Sequence, residues 1–158
     1  MPERKSIAVD VPGRPNVTLS YLVLDYTGTL AGDGSLLPGV SSRLRKLARR
    51  LRIIVVTADT FGTAQAALLG LPVEVKSVKI GLEKLRLVRQ LGPEHVMAIG
   101  NGRNDVQMIR AAAIGVAVIG PEGAAGELVA AADVVVRDIR DALDLPGKPL
   151  KLKATLRP

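Results

Sequence analysis

The chain has 158 residues, a size for one domain, and its 47% hydrophobic content can build a core almost wholly from Ala, Val, Leu and Ile, because aromatics are only 2%. With no cysteine and one histidine, His95, the chain cannot by itself make disulfides, thiolate metal sites, thiol nucleophiles or multi-histidine centres. Its apolar runs all fall short of the roughly 20 residues of a membrane span, and a net charge of +7 favours anionic ligands.

The opening MPERKS is charged and leads into a strand-like run, so no secretion signal and a cytoplasmic location are expected. Ser6 to Val11 reads as a strand, PGRPN as a break, and Thr18 to Leu24 as a second strand, giving an N-terminal hairpin over about residues 5–24. After DYTGTL comes the polar, glycine-rich stretch AGDGSLLPG, then a helix from about Val40 to Arg50. That helix carries the densest basic run: Arg43, Arg45, Lys46, Arg49 and Arg50, with Arg52 beyond it. Val40, Leu44, Leu47 and Leu51 recur at helical spacing, so the charges line a solvated outer face. No aromatic residue interleaves with them, which argues against a base-stacking nucleic-acid surface.

RIIVVT is a strand buried on both faces. Helix is predicted over Thr60 to Leu69, ended by Gly70 and Pro72, with VEV as a short strand after it. A helix from Gly81 to Leu91 places Leu82, Leu85, Val88 and Leu91 on one side and stops at Gly92 and Pro93. The rest alternates: HVMAIG strand, NDVQMIRAAA helix, IGVAVIG strand, GAAGELVAAA helix, DVVV strand, DIRDALDL helix. The basic tail, about 146–158, reads as irregular or a short edge strand. The whole chain is thus one domain with its core over about 18–145.

Alternating strands and helices imply parallel βαβ units and an α/β fold, a three-layer α/β/α sandwich with a mostly parallel sheet. In such sheets ligands bind at the carboxyl ends of the strands. Three strands end there in polar residues: YLVLD at Asp25, RIIVV at Thr57 and HVMAI at Gly100 and Asn101, with Lys84 near the start of an intervening helix. A carboxylate at a strand tip can attack phosphorus, and backbone N–H groups of the turn after it can cradle phosphate oxygens. Thr57 offers a hydroxyl, and Lys84 can neutralise phosphate and keep Asp25 ionised. GNGRND supplies Asn101, Asn104 and Asp105, oxygen ligands of the kind magnesium accepts. Singly, each has an ordinary alternative: Asp25 a turn cap, Thr57 a strand end, Lys84 a surface helix lysine, GNGRND a capped helix start. Their joint order carries the functional reading.

At DYTGTL, VVTAD, Lys84 and GNGRND the chain resembles the haloacid dehalogenase superfamily, from about Tyr21 to Leu145. The resemblance implies a Rossmann-like, HAD-like sheet and makes Asp25 the nucleophile, Thr57 the phosphate-binding hydroxyl and Lys84 the third-motif lysine. The catalytic set it implies is Asp25, Thr27, Thr57 and Lys84. Tyr26, Thr27 and Gly28 would hold phosphate from one side, with Thr57, Ala58, Lys84 and Asn104 from the others. Magnesium would be held by Asp25, the Thr27 carbonyl, Asn101 and Asp105.

Two positions depart from the family pattern. Thr27 stands where most of these phosphatases carry a second aspartate, the acid and base of hydrolysis. Asp-x-Thr-Gly-Thr is the pattern of P-type ATPase phosphorylation domains, and GNGRNDVQMIRAAAIGVAV is similar to their hinge segment, so the label is a soluble P-type ATPase-like phosphatase. Asn101 replaces a metal-binding aspartate. Slow hydrolysis is expected, because Thr27 cannot exchange protons at neutral pH. The alternative is a regulatory or non-catalytic phospho-acceptor or metal-binding domain. Neither interval between the motifs has room for a cap, so the expectation is a cap-less, open site for a phosphorylated substrate, with room for a homo-oligomer to cover it.

Overall fold

The computed structural model describes residues 5–59 and 62–158. Six parallel strands form the central sheet: β3 (Tyr21–Asp25), β6 (Arg52–Thr57), β7 (Glu74–Ser77), β8 (Val96–Gly100), β9 (Ile114–Val118) and β10 (Val134–Val136). Their order is β10-β9-β8-β3-β6-β7, so β3 sits between β6 and β8 at the middle of the sheet. Two small antiparallel hairpins flank it: β1 (Ile7–Val9) with β2 (Val17–Leu19), and β4 (Ala31–Gly32) with β5 (Ser35–Leu36). The expected N-terminal hairpin is present, but its second strand divides at Ser20. The first part pairs with β1, and the second becomes β3.

The alternation of side chains along each strand separates two cores. Leu22 and Leu24, Ile53 and Val55, and Met97 and Ile99 face one side. There they meet Val40, Leu44 and Leu47 of α1 (Val40–Leu47), Ala64 of α2 (Thr63–Ala67) and Ala142 and Leu143 of α6 (Ile139–Asp144). Val23, Ile54, Val56 and Ala98 face the other. They meet Leu87 and Val88 of α3 (Gly81–Leu91), Met108 and Ile109 of α4 (Val106–Ala111) and Leu128 of α5 (Gly126–Ala131). Strands that are apolar on both faces therefore lie between two helical layers, as their sequence requires.

Some expectations are corrected. The tail is neither irregular nor a strand: Pro149–Thr155 forms α7. Proline fits the first helical position, Leu152 is fully buried in the core that holds β1 and β2, and Lys153 pairs with Asp10 at 2.8 Å. The period of the tail is helical, but with Leu150 79% exposed the apolar face is one leucine wide and easily missed. On α3, Leu82 is 39% exposed, and the buried side chains are Lys84, Leu85, Leu87 and Val88. The α2 helix begins at Thr63; Thr60, its expected start, lies outside the described residues. No helix among the described residues is long and apolar enough to cross a membrane. Between β3 and β6 lie only the β4–β5 hairpin and α1, so no cap interrupts the described chain there.

Truncating the buried anchor of α7 tests its place in the fold. Leu152→Ala is expected to lower stability by about 2–4 kcal/mol in denaturant titrations, whereas Leu150→Ala, on the exposed side, should leave the midpoint within about 0.5 kcal/mol.

Candidate active site

The sheet brings the expected residues to one edge. Asp25 ends β3, and its register partner on β6 is Val56, so Thr57 extends one residue beyond it on the adjacent strand. On the other side Leu24 pairs with Ile99 of β8, which sets Gly100 and Asn101 beside Asp25. These are carboxyl ends of adjacent parallel strands, where the backbone turns away and leaves a concave rim.

Lys84 reaches this rim from α3. It is 1% exposed, and its ammonium donates to Asp25 Oδ1 at 2.9 Å and Asp105 Oδ1 at 2.7 Å. Two glycines permit this approach. A Cβ on Gly81, the first residue of α3, would come 2.5 Å from the backbone oxygen of Asn104. A Cβ on Gly100 would lie 2.5 Å from Asp105 Oδ2. Asp105 is fully buried, and its second oxygen accepts from the backbone N–H groups of Asn101 at 3.2 Å and Gly102 at 3.1 Å. Expected among metal ligands, it has both oxygens engaged and holds the lysine and the loop.

Thr29 is the residue that the sequence reading missed. It is completely buried, and its hydroxyl lies 3.3 Å from Asp25 Oδ2 and 3.2 Å from Asn101 Oδ1. The signal was its place in DYTGTL, one turn past Asp25, where the backbone folds back: the N–H groups of Thr29, Leu30 and Ala31 all point to the Tyr26 carbonyl. Thr57 is 4% exposed, and its hydroxyl oxygen accepts from the Asp59 N–H at 3.0 Å, which leaves its proton to donate. Thr27 and Ala58 are exposed and, with Tyr26, line a cleft of about 520 Å³. Gly28 adopts φ 74°, but its N–H donates to the Ala31 carbonyl at 3.0 Å. Asn104 is exposed on the short turn before α4.

Burial raises the Asp25 carboxyl from its ordinary value to about 6, with help from the Asp105 charge and against the pull of Lys84 and the Tyr26 N–H. Burial also opposes the Lys84 ammonium, but the two carboxylates outweigh it and its pKa is raised. The cluster thus holds two carboxylates around one cation. Among the described residues no group of three or more His, Cys, Asp or Glu side chains stands ready to hold a metal. A divalent cation still fits the donor set: the Thr29 hydroxyl has one proton to share between Asp25 Oδ2 and Asn101 Oδ1, two hard oxygen ligands.

A strand-tip aspartate, a buried helix lysine and a neighbouring strand-end threonine on a parallel α/β sheet define a hydrolase site of the haloacid dehalogenase type. The family model for haloacid dehalogenase-like hydrolases matches residues 10–113, and the chain belongs to that family. It is 42% identical over 80 residues to an uncharacterized protein of Methanocaldococcus jannaschii, a match covering 48% of this chain and 86% of that protein. In three dimensions it is similar to 3-deoxy-D-manno-octulosonate 8-phosphate phosphatase from Moraxella catarrhalis, in complex with a magnesium ion, a phosphate ion and KDO: 15% identity, TM-score 0.69, 87% of this chain and 89% of that one. The same phosphatase from Yersinia pestis aligns at 17% identity and TM-score 0.66 over 95% of both chains. A cobalt-bound deoxy-D-mannose-octulosonate 8-phosphate phosphatase from Haemophilus influenzae aligns at 15% and 0.65 over 89% of this chain and 94% of that one. At these identities the likeness establishes the fold.

The raised carboxyl has a sign that can be measured. Because Asp25 ionises less readily folded than unfolded, its contribution favours folding below the ordinary value of 3.8 and is lost as pH rises through about 6. In metal-free buffer, Asp25→Asn should therefore match the wild type near pH 4 and exceed it by about 2 kcal/mol at pH 7. Thermal melts across that range check this; a difference that does not grow with pH would contradict it. Lys84→Met, which leaves both carboxylates without their cation, should cost about 3–5 kcal/mol at pH 7.

Proposed function

We propose that this hydrolase is a magnesium-dependent phosphatase of phosphate monoesters in which Asp25 is the nucleophile. The observation that carries the reading is the buried Asp25–Lys84 pair at 2.9 Å, one residue of register from the Thr57 hydroxyl. A carboxylate held at a strand tip by a lysine it shares with Asp105 has one oxygen fixed and the other aimed toward Thr29 and Asn101.

An Asp25 oxygen attacks phosphorus as the ester oxygen departs, giving an aspartyl-phosphate and an alcohol that takes its proton from solvent or a nearby acid. The Lys84 ammonium, the Thr57 hydroxyl and the N–H groups of Tyr26 and Thr27 meet the charge on the transferred phosphoryl oxygens. Asp25, the Thr27 carbonyl and Asn101 would hold the magnesium ion, with Asp105 behind them keeping Lys84 and the Asn101–Gly102 backbone in place. The bound cation supplies charge neutralisation between the two anions that must approach. With an amide in place of a carboxylate at 101, metal affinity is expected to be modest.

The exposed cleft beside Thr27 is where the leaving group lies. It is broad enough for a sugar phosphate or a larger phosphorylated ligand, in keeping with the octulosonate 8-phosphate phosphatases that share the fold.

A screen of p-nitrophenyl phosphate and sugar phosphates with and without magnesium tests the proposal. Turnover should require the metal, and Asp25→Asn should lower it at least about 1,000-fold while still melting cooperatively and no lower than the wild type. Unchanged activity in that variant would rule out the nucleophile assignment. Thr27→Asp is expected to raise hydrolysis of the aryl ester by about tenfold. A phosphorylated Asp25 that never turns over would point to a phospho-acceptor with a regulatory role.

A further inference from the structure

We propose that Glu122 is the proton acceptor that position 27 lacks: it deprotonates the water that hydrolyses the phosphorylated Asp25. The inference rests on the phosphatase reading above.

Glu122 lies in the loop between β9 and α5, after the last of the site's motifs. Asn101 fastens that loop twice. Its backbone carbonyl accepts from the Ala125 N–H at 2.9 Å, and its side-chain amide donates to the Gly123 carbonyl at 3.2 Å. A carboxylate at position 101 has no proton to donate in that second bond. The same substitution that removes a charge from the site therefore secures the loop. The Gly123 N–H closes the turn onto the Gly120 carbonyl at 2.9 Å. Gly120 itself lies so near the Asp25 turn that a Cβ there would come 2.9 Å from the Gly28 carbonyl oxygen.

This turn carries the Glu122 side chain onto the active-site rim. Glu122 Oε2 lies 2.6 Å, and Asn101 Nδ2 2.5 Å, from the point that a Cβ on Gly28 would occupy. Gly28 is thus the residue that leaves space for the carboxylate. Glu122 and Thr27 line the same cleft. Two other carboxylates line it, but they are placed differently. Asp59 accepts from the Ala64 N–H at the start of α2 at 3.0 Å, and Asp33 sits at the tip of the β4–β5 hairpin with φ 52°. Glu122 is exposed and its side chain is in neither an ion pair nor a hydrogen bond among the described residues, so nothing in the fold engages its oxygens.

In the step proposed, the water oxygen forms a bond to phosphorus while the bond from phosphorus to the Asp25 oxygen breaks. The electron pair of that bond restores the Asp25 carboxylate, the water proton passes to Glu122, and inorganic phosphate leaves. Glu122 then releases its proton to solvent.

The test follows the phosphoenzyme formed from acetyl phosphate and magnesium, by acid quench and by phosphate release. Glu122→Gln should lower kcat roughly 100-fold and KM along with it, leaving kcat/KM nearly unchanged, and phosphoenzyme should accumulate. Glu122→Asp should recover part of the rate. Thr27→Asp in the Glu122→Gln background should restore turnover, because a carboxylate then returns to the same cleft. Decay of the Glu122→Gln phosphoenzyme at the wild-type rate would overturn the proposal, as would an equal loss of phosphoenzyme formation and turnover. A failure of Thr27→Asp to rescue a folded Glu122→Gln would also count against it. Phosphoenzyme formed on Asp25→Asn would instead defeat the underlying phosphatase reading, whatever Glu122 does.

Discussion

The buried ammonium of Lys84 organises the carboxyl-end rim of this protein. Its charge lies between Asp25 and Asp105, and removing it would leave two carboxylates in a place where water cannot screen them. The rest of the local architecture serves that contact. Gly81 lets α3 approach the Asn104 turn, and Gly100 leaves room for Asp105. The backbone N–H groups of Asn101 and Gly102 occupy the carboxylate oxygen that Lys84 does not. A lysine in this position is costly to bury and is retained because it has two anionic partners. One excess negative charge remains, and it is the feature that makes the site receptive to a cation beside Asp25.

Much of this was legible in the chain. Strand and helix periods place Asp25, Thr57 and Asn101 at equivalent ends of parallel strands, and the strand order, with β3 between β6 and β8, brings those ends together. The burial of Lys84 was not legible from local pattern: Lys84 sits among Leu82, Leu85, Val88 and Leu91, and helical period alone favours Leu82 for the interior. In the fold Lys84 turns inward to its two carboxylate partners, a tertiary effect, and Leu82 is left partly exposed. Thr29 escaped notice because a threonine four residues past the aspartate reads as ordinary turn chemistry until the chain folds back over Tyr26. The α7 helix escaped because one buried leucine is too little periodicity to read.

The two departures from the family pattern have different structural consequences. Thr27 is exposed and faces the cleft, so a threonine in place of a carboxylate there removes a charge while leaving the packing of the turn alone. Asn101 is buried and bonded on both sides, to the Thr29 hydroxyl through its oxygen and to the Gly123 carbonyl through its nitrogen. An aspartate in the same place would meet Gly123 with two acceptors face to face. Asparagine therefore exchanges charge for cohesion, joining the turn after β3 to the loop after β9.

That exchange alters how the site can be controlled. With no cap between β3 and β6 in the described chain, the loops at the strand ends border Asp25 directly. Here those loops are bonded to one another through Asn101 and through the close passage of Gly28 and Gly120. Displacing either loop would break the Asn101–Gly123 bond that joins them. The loop after β9 is thus held against the rim by Asn101, the residue that also lies within reach of the Thr29 hydroxyl beside Asp25.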